Sequence, residues 1–169
     1  MNKKLCFRPV KPHEVQAVFD LIMRRVAWMD TVGIRQWNTT KYGERYPLSY
    51  YEEKRQMGEL FLLEDTEAGE ILAVGALFHE DERWPEKANA RYLHHLASEV
   101  GKRGMGSLFL SEAETYIAKE GAEYMRLDSA VGNATLEQFY SSRGYIEVGY
   151  CVDGLYHGIL RQKKLQNVE

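Results

Sequence analysis

Residues 96–107 read Leu-Ala-Ser-Glu-Val-Gly-Lys-Arg-Gly-Met-Gly-Ser, a glycine-rich turn that separates an apolar run from a segment with helical periodicity. The first amide groups of a helix have no intrahelical partner and carry the positive end of its dipole, so a turn without bulky side chains admits an anion. Lys102 and Arg103 add full positive charges beside Gly104 and Gly106. The turn therefore predicts a phosphate-binding site, and a tight strand-to-helix turn without a ligand is the alternative.

Segments with strand and helix periodicity lie on both sides of this glycine turn, and no repeat or linker divides the chain. Strands joined partly as hairpins and partly through single helices predict a mixed α/β fold of the α+β type, with helices on the faces of one mixed sheet. We therefore expect a single domain over residues 1–169. The predicted strands are Leu5–Val10, Leu60–Glu64, Ile71–Phe78, Ala90–Ala97, Tyr124–Asp128, Tyr145–Val152 and Leu155–Leu165, and the predicted helices begin after Pro12, at a Ser49–Glu52 capping box, at Ser107 and at Asn133.

The composition is that of a globular chain, with 169 residues, 44% apolar residues and 28% charged residues. A net charge of -3 argues against a sequence-independent nucleic-acid binder, and no apolar run reaches the roughly 18 residues of a membrane-spanning helix. We expect a soluble cytoplasmic protein with no nucleic-acid or membrane partner. Cys6 and Cys151 have no neighbouring cysteine or histidine at metal-ligand spacing, which favours reduced thiols and predicts no metal site.

A second motif follows downstream, where residues 139–145 read Phe-Tyr-Ser-Ser-Arg-Gly-Tyr after a strand and the helix-capping Asn133. In order and spacing, this motif and the glycine turn resemble those of the GCN5-related N-acetyltransferase (GNAT) superfamily. The glycine signature of that superfamily opens with arginine or glutamine, whereas Gly101 stands at this position here. Residues 33–37 and 46–47 add a resemblance to bacterial members that act on small molecules.

The resemblance implies a mostly antiparallel sheet of about seven strands with about four helices, opened into a V-shaped cleft that holds acetyl-CoA. Backbone groups of Leu96 and Ser98 would pair with the pantetheine arm as an added strand would, and the amides of Gly101 to Gly106 would hold the pyrophosphate. Asn133 would contact the cofactor arm or only cap its helix. The residues expected to bind acetyl-CoA are Leu96, Ser98, Gly101, Lys102, Arg103, Gly104, Met105, Gly106, Ser107, Asn133 and Tyr140.

Acyl transfer to an amine needs one group that removes a proton from the ammonium and another that protonates the leaving thiolate. By resemblance, Tyr140 is the general acid, and a core aromatic is the alternative. The glutamate base of several superfamily members has no counterpart at residues 89–91, so His94 becomes the candidate base. A structural histidine and catalysis without a dedicated base are the alternatives. Strand alternation predicts that His94 and His95 point to opposite faces unless a bulge intervenes.

Aromatic residues are dense in the N-terminal third, where the resembling proteins usually build the acceptor pocket. We expect Trp28, Trp37 and Tyr46 to bind the amine through apolar and cation–π contacts, with ordinary packing as the alternative. His79 is assigned to the same pocket and, with Glu80, is the second candidate for the base. The acceptor would be a primary amine of a small molecule or peptide, acetylated directly in a ternary complex. A noncatalytic acyl-CoA sensor, a protein that binds another nucleotide and a homodimer stay open.

Overall fold

The structure is a computed structural model and describes residues 4–167 of the chain. The strands in this range are β1 (Leu5–Pro9), β2 (Leu60–Asp65), β3 (Glu70–Phe78), β4 (Ala90–Ser98), β5 (Tyr124–Ala130), β6 (Ile146–Asp153) and β7 (Tyr156–Lys164). The α-helices are α1 (Val15–Thr31), α2 (Tyr42–Arg45), α3 (Leu48–Gln56), α4 (Met105–Lys119) and α5 (Ala134–Ser141).

The strands form one sheet in the order β1-β2-β3-β4-β5-β7-β6. Strands β4 and β5 run parallel, whereas the pairs β1–β2, β2–β3, β5–β7 and β6–β7 run antiparallel. This mixed, mostly antiparallel α/β fold confirms the fold class predicted from the sequence.

The described residues divide into two compact units, one of residues 4–77 and 95–113 and the other of residues 78–94 and 114–167. Strand β4 and helix α4 each contribute residues to both units. The single domain expected from the sequence stays a prediction.

The core of the first unit is built from β2, the buried face of α1 and the start of α4. Residues Leu60–Leu63 of β2 are all buried because neighbouring strands flank β2 on both edges and helices cover it, so its sequence is a continuous apolar run. Phe7 of β1 stacks on Phe61 with ring centroids 5.4 Å apart and meets the edge of Phe109 at 5.1 Å. These contacts hold the first turns of α4, and with them the glycine turn, against the sheet.

The core of the second unit lies around β5 and β7, which pair over seven residues. Met125 and Leu127 of β5 are buried, and Trp84, from the segment between β3 and β4, belongs to a buried cluster with Tyr92 and Leu160. This packing fixes β5 beside β7.

Three details of the helices differ from the sequence prediction. Helix α3 begins at Leu48 with Pro47 as its N-cap, so the predicted Ser49–Glu52 capping box is wrong, and Glu52 instead accepts hydrogen bonds from Arg55. Proline has a fixed φ that suits the start of a helix, which moves the helix start upstream of Ser49. Helix α4 begins at Met105 rather than Ser107, and the one-turn helix α2 was not predicted.

Helix α1 is the longest helix of residues 4–167, with 17 residues, and it carries Asp20, Arg24 and Arg25. No helix in this range is long and apolar enough to cross a membrane.

Candidate active site

The glycine turn between β4 and α4, in the first unit, has the open backbone that an anion site needs. Gly101 and Gly104 have φ values of 83° and 80°, in the left-handed region that favours glycine. The Leu108 N–H donates to the Gly104 carbonyl at 3.0 Å. The amides of Met105 and Gly106 precede this first hydrogen bond of α4, and amides at the start of a helix can donate to a ligand.

Gly106 is informative because neither its backbone nor its packing requires glycine. It lies in the first turn of α4 and is not among the glycines with positive φ. A Cβ built on Gly106 meets no heavy atom within 4 Å. Alanine would be favoured in a helix by about 1 kcal/mol, so the fold of the turn itself does not account for glycine at this position. The turn leaves room for an anion at the start of α4.

The two basic residues of the turn have different surroundings. Lys102 Nζ lies 3.1 Å from Glu70 Oε2, and both side chains are more than one-third exposed. An exposed ion pair of this kind contributes at most about 1 kcal/mol to stability, so Lys102 can leave Glu70 and bind an anion instead. Arg103 is exposed at the turn.

The end of β4 is fixed by Arg25 of α1. Its Nε and Nη2 donate to the Ser98 carbonyl at 3.0 and 2.7 Å, and Nη2 also donates to Ser98 Oγ at 3.0 Å. The Arg25 guanidinium carbon lies 4.5 Å from the Trp28 ring centroid. Trp28 therefore packs on the arginine that holds the end of β4. Leu96, two residues before Ser98, is half-buried.

The other predicted acceptor residues of the first unit join a cluster of aromatic rings around His95. Trp37 stacks on Tyr42 with centroids 4.5 Å apart, and the Tyr46 ring meets the His95 ring at 4.7 Å. The Tyr42 hydroxyl is hydrogen-bonded to His95 Nδ1, and the Tyr50 hydroxyl lies 2.8 Å from Nε2. Burial and the nearby tyrosines raise the pKa of Tyr42, so the Tyr42 hydroxyl stays protonated.

Sequence reasoning missed the central role of His95 in this cluster. His95 has a φ of 56°, which interrupts the regular alternation of β4, and it is only 8% exposed. Left-handed backbone at a residue other than glycine costs of order 1–3 kcal/mol and persists where the surroundings hold it. The density of tyrosines in residues 42–51 was the available signal, but only the fold shows that they converge on one imidazole.

In the second unit, Tyr140 of α5 is buried and packs its ring against Phe139 and Tyr145. Within residues 4–167 no hydrogen bond involves its hydroxyl. Burial, and then the negative charge of Asp128, raise the pKa of Tyr140 to about 12. Tyr140 therefore keeps its proton at neutral pH, as a general acid must.

His94, also in the second unit, is hydrogen-bonded to a carboxylate that the sequence did not single out. His94 Nε2 lies 2.7 Å from Asp81 Oδ2, and the Phe78 ring stacks on the imidazole at 4.3 Å. Burial opposes the ionisation of Asp81, but its hydrogen bond to His94, with the backbone N–H and the charge of Arg83, outweighs burial and holds the pKa of Asp81 below its usual range. Asp81 is separated from His94 by 13 positions, so no local motif signalled the pair.

A second aspartate, Asp128 at the carboxyl end of β5, stands beside this pair. One carboxylate oxygen of Asp81, one carboxylate oxygen of Asp128 and one ring nitrogen of His94 lie within 4.8 Å of one another. Asp128 accepts a hydrogen bond from the Tyr156 hydroxyl at 2.6 Å, and Arg83 Nη1 lies 3.4 Å from it. The Arg83 guanidinium places a positive charge beside Asp128. His94 is the hydrogen-bond partner of Asp81, so each carboxylate has a partner within the protein.

Asn133 and His79 complete the predicted residues. Asn133 Oδ1 accepts the Leu136 N–H at 3.1 Å, which confirms Asn133 as the N-cap of α5. His79 is exposed and lines a pocket of about 490 Å³ together with Arg91 and Glu120. Another pocket, of about 410 Å³, is lined by the segment 80–83 with Phe78, Val152 and Asp153.

A seven-stranded mixed sheet, an open glycine turn before α4 and a buried tyrosine on α5 define a protein with the GNAT fold. The sequence matches the model of the acetyltransferase (GNAT) family over residues 31–145, more than half of the chain, and the protein belongs to that family. It is therefore an N-acetyltransferase that uses acetyl-CoA. No curated protein matches the sequence significantly.

Solved structures with this fold include two GNAT-family acetyltransferases. The protein from Listeria monocytogenes 4b F2365 has 24% identity and a TM-score of 0.79, with 95% of each chain covered. The protein from Streptococcus agalactiae 2603 has 22% identity and a TM-score of 0.69, with 96% of each chain covered. The PaiA N-acetyltransferase from Thermoplasma acidophilum, solved in complex with coenzyme A, has 17% identity and a TM-score of 0.71, with 95% of this chain and 99% of that chain covered.

Proposed function

We propose that the protein transfers the acetyl group of acetyl-CoA directly to a primary amine of a small molecule or peptide within a ternary complex. The observation that carries this proposal is Gly106, whose missing side chain leaves open space over the first amides of α4. Bound acetyl-CoA would supply the acetyl group as a thioester, and the protein would supply binding, orientation and proton transfer.

The first unit contributes the anion site. Backbone amides of the turn from Gly101 to Gly106 and of Ser107 would hold the pyrophosphate, apart from the Lys102 amide, which donates to the Glu99 carbonyl at 3.2 Å. Lys102 exchanges Glu70 for a phosphate oxygen, and Arg103 adds a second charge at the exposed side of the turn. Met105 contributes through its backbone. Leu96 and Ser98 would pair with the pantetheine amides through their backbone groups, and a pantetheine amide would share the Ser98 carbonyl with Arg25, which already donates to it twice.

The second unit contributes the proton transfers. Tyr140 gives its proton to the departing thiolate, a role supported by the raised pKa of about 12 and by the hydroxyl that has no hydrogen bond within residues 4–167. His94 accepts the proton of the acceptor ammonium, a role supported by the aspartate bonded to its ring. Asn133 keeps the cofactor contact that the family resemblance implies, in addition to its observed role as a cap.

Trp37 and Tyr46 are proposed to line the acceptor pocket, because their rings lie with those that surround His95. Trp28 and His79 stay proposed acceptor residues, although Trp28 also supports β4 through Arg25. Truncation separates these assignments. Trp37→Ala should raise the Michaelis constant for the amine with CoA affinity unchanged. Trp28→Ala should raise the same constant and also lower the melting temperature, because Trp28 packs on Arg25. Unchanged amine kinetics in a folded Trp37→Ala protein would remove Trp37 from the pocket.

The proposed activity is tested by binding and turnover with the native protein. CoA should raise the melting temperature more than ATP or NAD at the same concentration, because the ligand stabilises the folded state by mass action. Thiol release from acetyl-CoA should then depend on one of several amines: 1,5-diaminopentane, lysine amide, a lysine-containing peptide or an aminoglycoside. A CoA-specific shift without turnover on any amine would favour the noncatalytic sensor, and a larger shift with ATP or NAD would favour a nucleotide-binding protein.

A homodimer and a cytoplasmic location are proposed as well. Strand β6 is an edge strand, and Tyr150 and Val152, which share one face beyond the register shift between Glu147 and Gly149, are 72% and 64% exposed. An apolar edge of this kind invites pairing with a second copy across a two-fold axis. Light scattering of native protein and a Tyr150→Lys variant tests this, since the variant should shift a dimer towards the monomer, and a native monomer would exclude it.

A further inference from the structure

His94 is held from two sides within the second unit. The Phe78 ring stacks on the imidazole with an interplanar angle of 19°, and Asp81 Oδ2 takes the Nε2 position at 2.7 Å. The side chains of His94 and Asp81 are 13% and 7% exposed. A ring fixed by stacking and by one short hydrogen bond keeps a single orientation.

Asp81 is itself fixed before it meets the histidine. Its Oδ1 accepts the backbone N–H of Arg83 at 3.0 Å, and its carbonyl accepts the backbone N–H of Trp84 at 3.1 Å. The Trp84 bond fixes the backbone of this tight turn, and the carboxylate cannot rotate away from His94 without losing its bond to the Arg83 N–H. Reorganisation during proton transfer is thereby small, which is the property that a supporting carboxylate needs.

We propose that Asp81 is the positioning residue of a His94 base. This proposal rests on the proposed acetyl transfer. Asp81 holds the His94 ring through Nε2 at 2.7 Å. His94 takes the proton of the acceptor ammonium, and Asp81 stabilises the imidazolium that results.

The proton balance follows directly. The ammonium gives one proton to His94, the nitrogen–carbon bond forms as the carbon–sulfur bond breaks, and Tyr140 gives its proton to the sulfur. The nitrogen gives its second proton to the tyrosinate that remains, and His94 releases the first proton to water. One ammonium and one thioester become one amide, one thiol and one released proton once His94 and Tyr140 return to their starting states.

Other charged or titratable groups surround the pair, and their contribution has to be separated from that of Asp81. They are Arg83 between β3 and β4, Asp128 of β5, Tyr140 of α5, Cys151 of β6 and Tyr156 of β7. Burial, and then Asp128, raise the pKa of the Cys151 thiol to about 11, so Cys151 is neutral at pH 7. The hydrogen bond of 2.7 Å to the imidazole comes from Asp81 itself.

The test compares Asp81→Asn, His94→Gln and the double variant in steady-state kinetics between pH 5 and 9, with the best amine from the panel above. Asp81→Asn keeps the size of the side chain and removes its charge. The expected result is a fall in kcat of about 10- to 100-fold, with an unchanged Michaelis constant for acetyl-CoA. The acid limb of the pH–rate profile should move to lower pH, because a carboxylate favours the protonated imidazole and its removal does the opposite.

Non-additivity separates positioning from mere support of the fold. If Asp81 acts through His94, Asp81→Asn should change kcat less than about 2-fold in the His94→Gln background. A structural role would lower the melting temperature and reduce kcat by the same factor in both backgrounds, with no movement of the acid limb. That result overturns the proposal.

Asp153→Asn is the matched control. Asp153 Oδ2 lies 2.8 Å from Arg83 Nη2, so this variant removes an aspartate from the same ion-pair network without touching the bond between Asp81 and His94. It should leave the acid limb in place, and an equal movement would assign the effect to general charge and overturn the role of Asp81. Native protein that turns over no amine would overturn the proposed activity and this inference together, whereas native turnover with an unaffected Asp81→Asn variant would overturn only the inference.

Discussion

The Tyr50 hydroxyl lies 2.8 Å from Nε2 of His95, a buried imidazole whose other nitrogen is bonded to Tyr42. The two tyrosines come from α2 and α3, so His95 ties both short helices to β4. An imidazole that is 8% exposed must have both nitrogens satisfied, since an orphaned buried polar atom costs about 1–3 kcal/mol.

Tyr50→Phe should therefore affect stability and acceptor binding together. Loss of the hydroxyl should lower the free energy of unfolding by about 1–3 kcal/mol. The Michaelis constant for the amine should rise, because the aromatic cluster proposed to line the acceptor pocket loses one of its anchors. Denaturant unfolding and acceptor kinetics measure the two effects. Tyr150→Phe is the control, since Tyr150 is 72% exposed, and equal stability of the two variants would contradict the prediction.

Gly106→Ala should separate ligand binding from stability. Because the Cβ meets no atom within 4 Å, alanine should raise the free energy of unfolding by up to about 1 kcal/mol. The same methyl should weaken CoA binding by about 10-fold or more, a loss of about 1.4 kcal/mol. Gly104→Ala is the contrasting variant, which should be destabilised because Gly104 has a φ of 80°. Calorimetric CoA affinity equal to native in Gly106→Ala would show that no ligand approaches this glycine.

Tyr140→Phe removes only the hydroxyl and keeps the ring that packs against Tyr145. The expected result is a fall in kcat of about 10- to 1000-fold, with CoA affinity changed little. Since the pKa of Tyr140 is raised to about 12, the native hydroxyl stays protonated up to at least pH 10, and the rate should not decline on the alkaline side before that pH. Equal kcat in native and variant enzyme would leave Tyr140 a packing residue.

Glu14 should make the first unit sensitive to acid. Arg8 Nη2 lies 2.7 Å from Glu14 Oε1, and its hydrogen bond lowers the pKa of Glu14 to about 2. A carboxyl with a depressed folded-state pKa stabilises the protein above its unfolded value of about 4.3, and this stabilisation is lost as the pH falls through both values. Glu14→Gln should cost about 1–2 kcal/mol at pH 7 after allowance for screening, and almost nothing at pH 2.

Unfolding curves at pH 7, 4 and 2 check this prediction. The difference between native and Glu14→Gln protein should shrink steadily as the pH falls. Glu53→Gln, at an exposed position on α3, is the control and should differ little from native at any pH. A constant difference between native and Glu14→Gln across the three pH values would show that the effect comes from shape rather than charge.

Local signals in the chain were sufficient for most elements. Apolar runs predicted the strands, and Asn133, whose side chain accepts a backbone N–H of the first turn, predicted the start of α5. Strand runs and helix caps can both be recognised because they depend on residues close together in the sequence. The Ser49–Glu52 pattern failed because Pro47, two residues earlier, already suits the start of a helix. Two possible start positions, Pro47 and Ser49, lie within three residues, and packing decides between them. The capping-box motif alone therefore could not predict where α3 begins.

The sequence by itself determined the mixed α/β class, the glycine turn before α4 and the positions of Tyr140 and His94, since each follows from residue type and spacing over a few positions. Only the tertiary structure decided which side chains contact these residues. It brought Asp81 to His94 across 13 positions and Tyr50 to His95 across 45. It also showed that Gly106 faces open space. Strand pairing joins segments that are distant in the chain, and such contacts leave no periodic trace in the sequence of either partner.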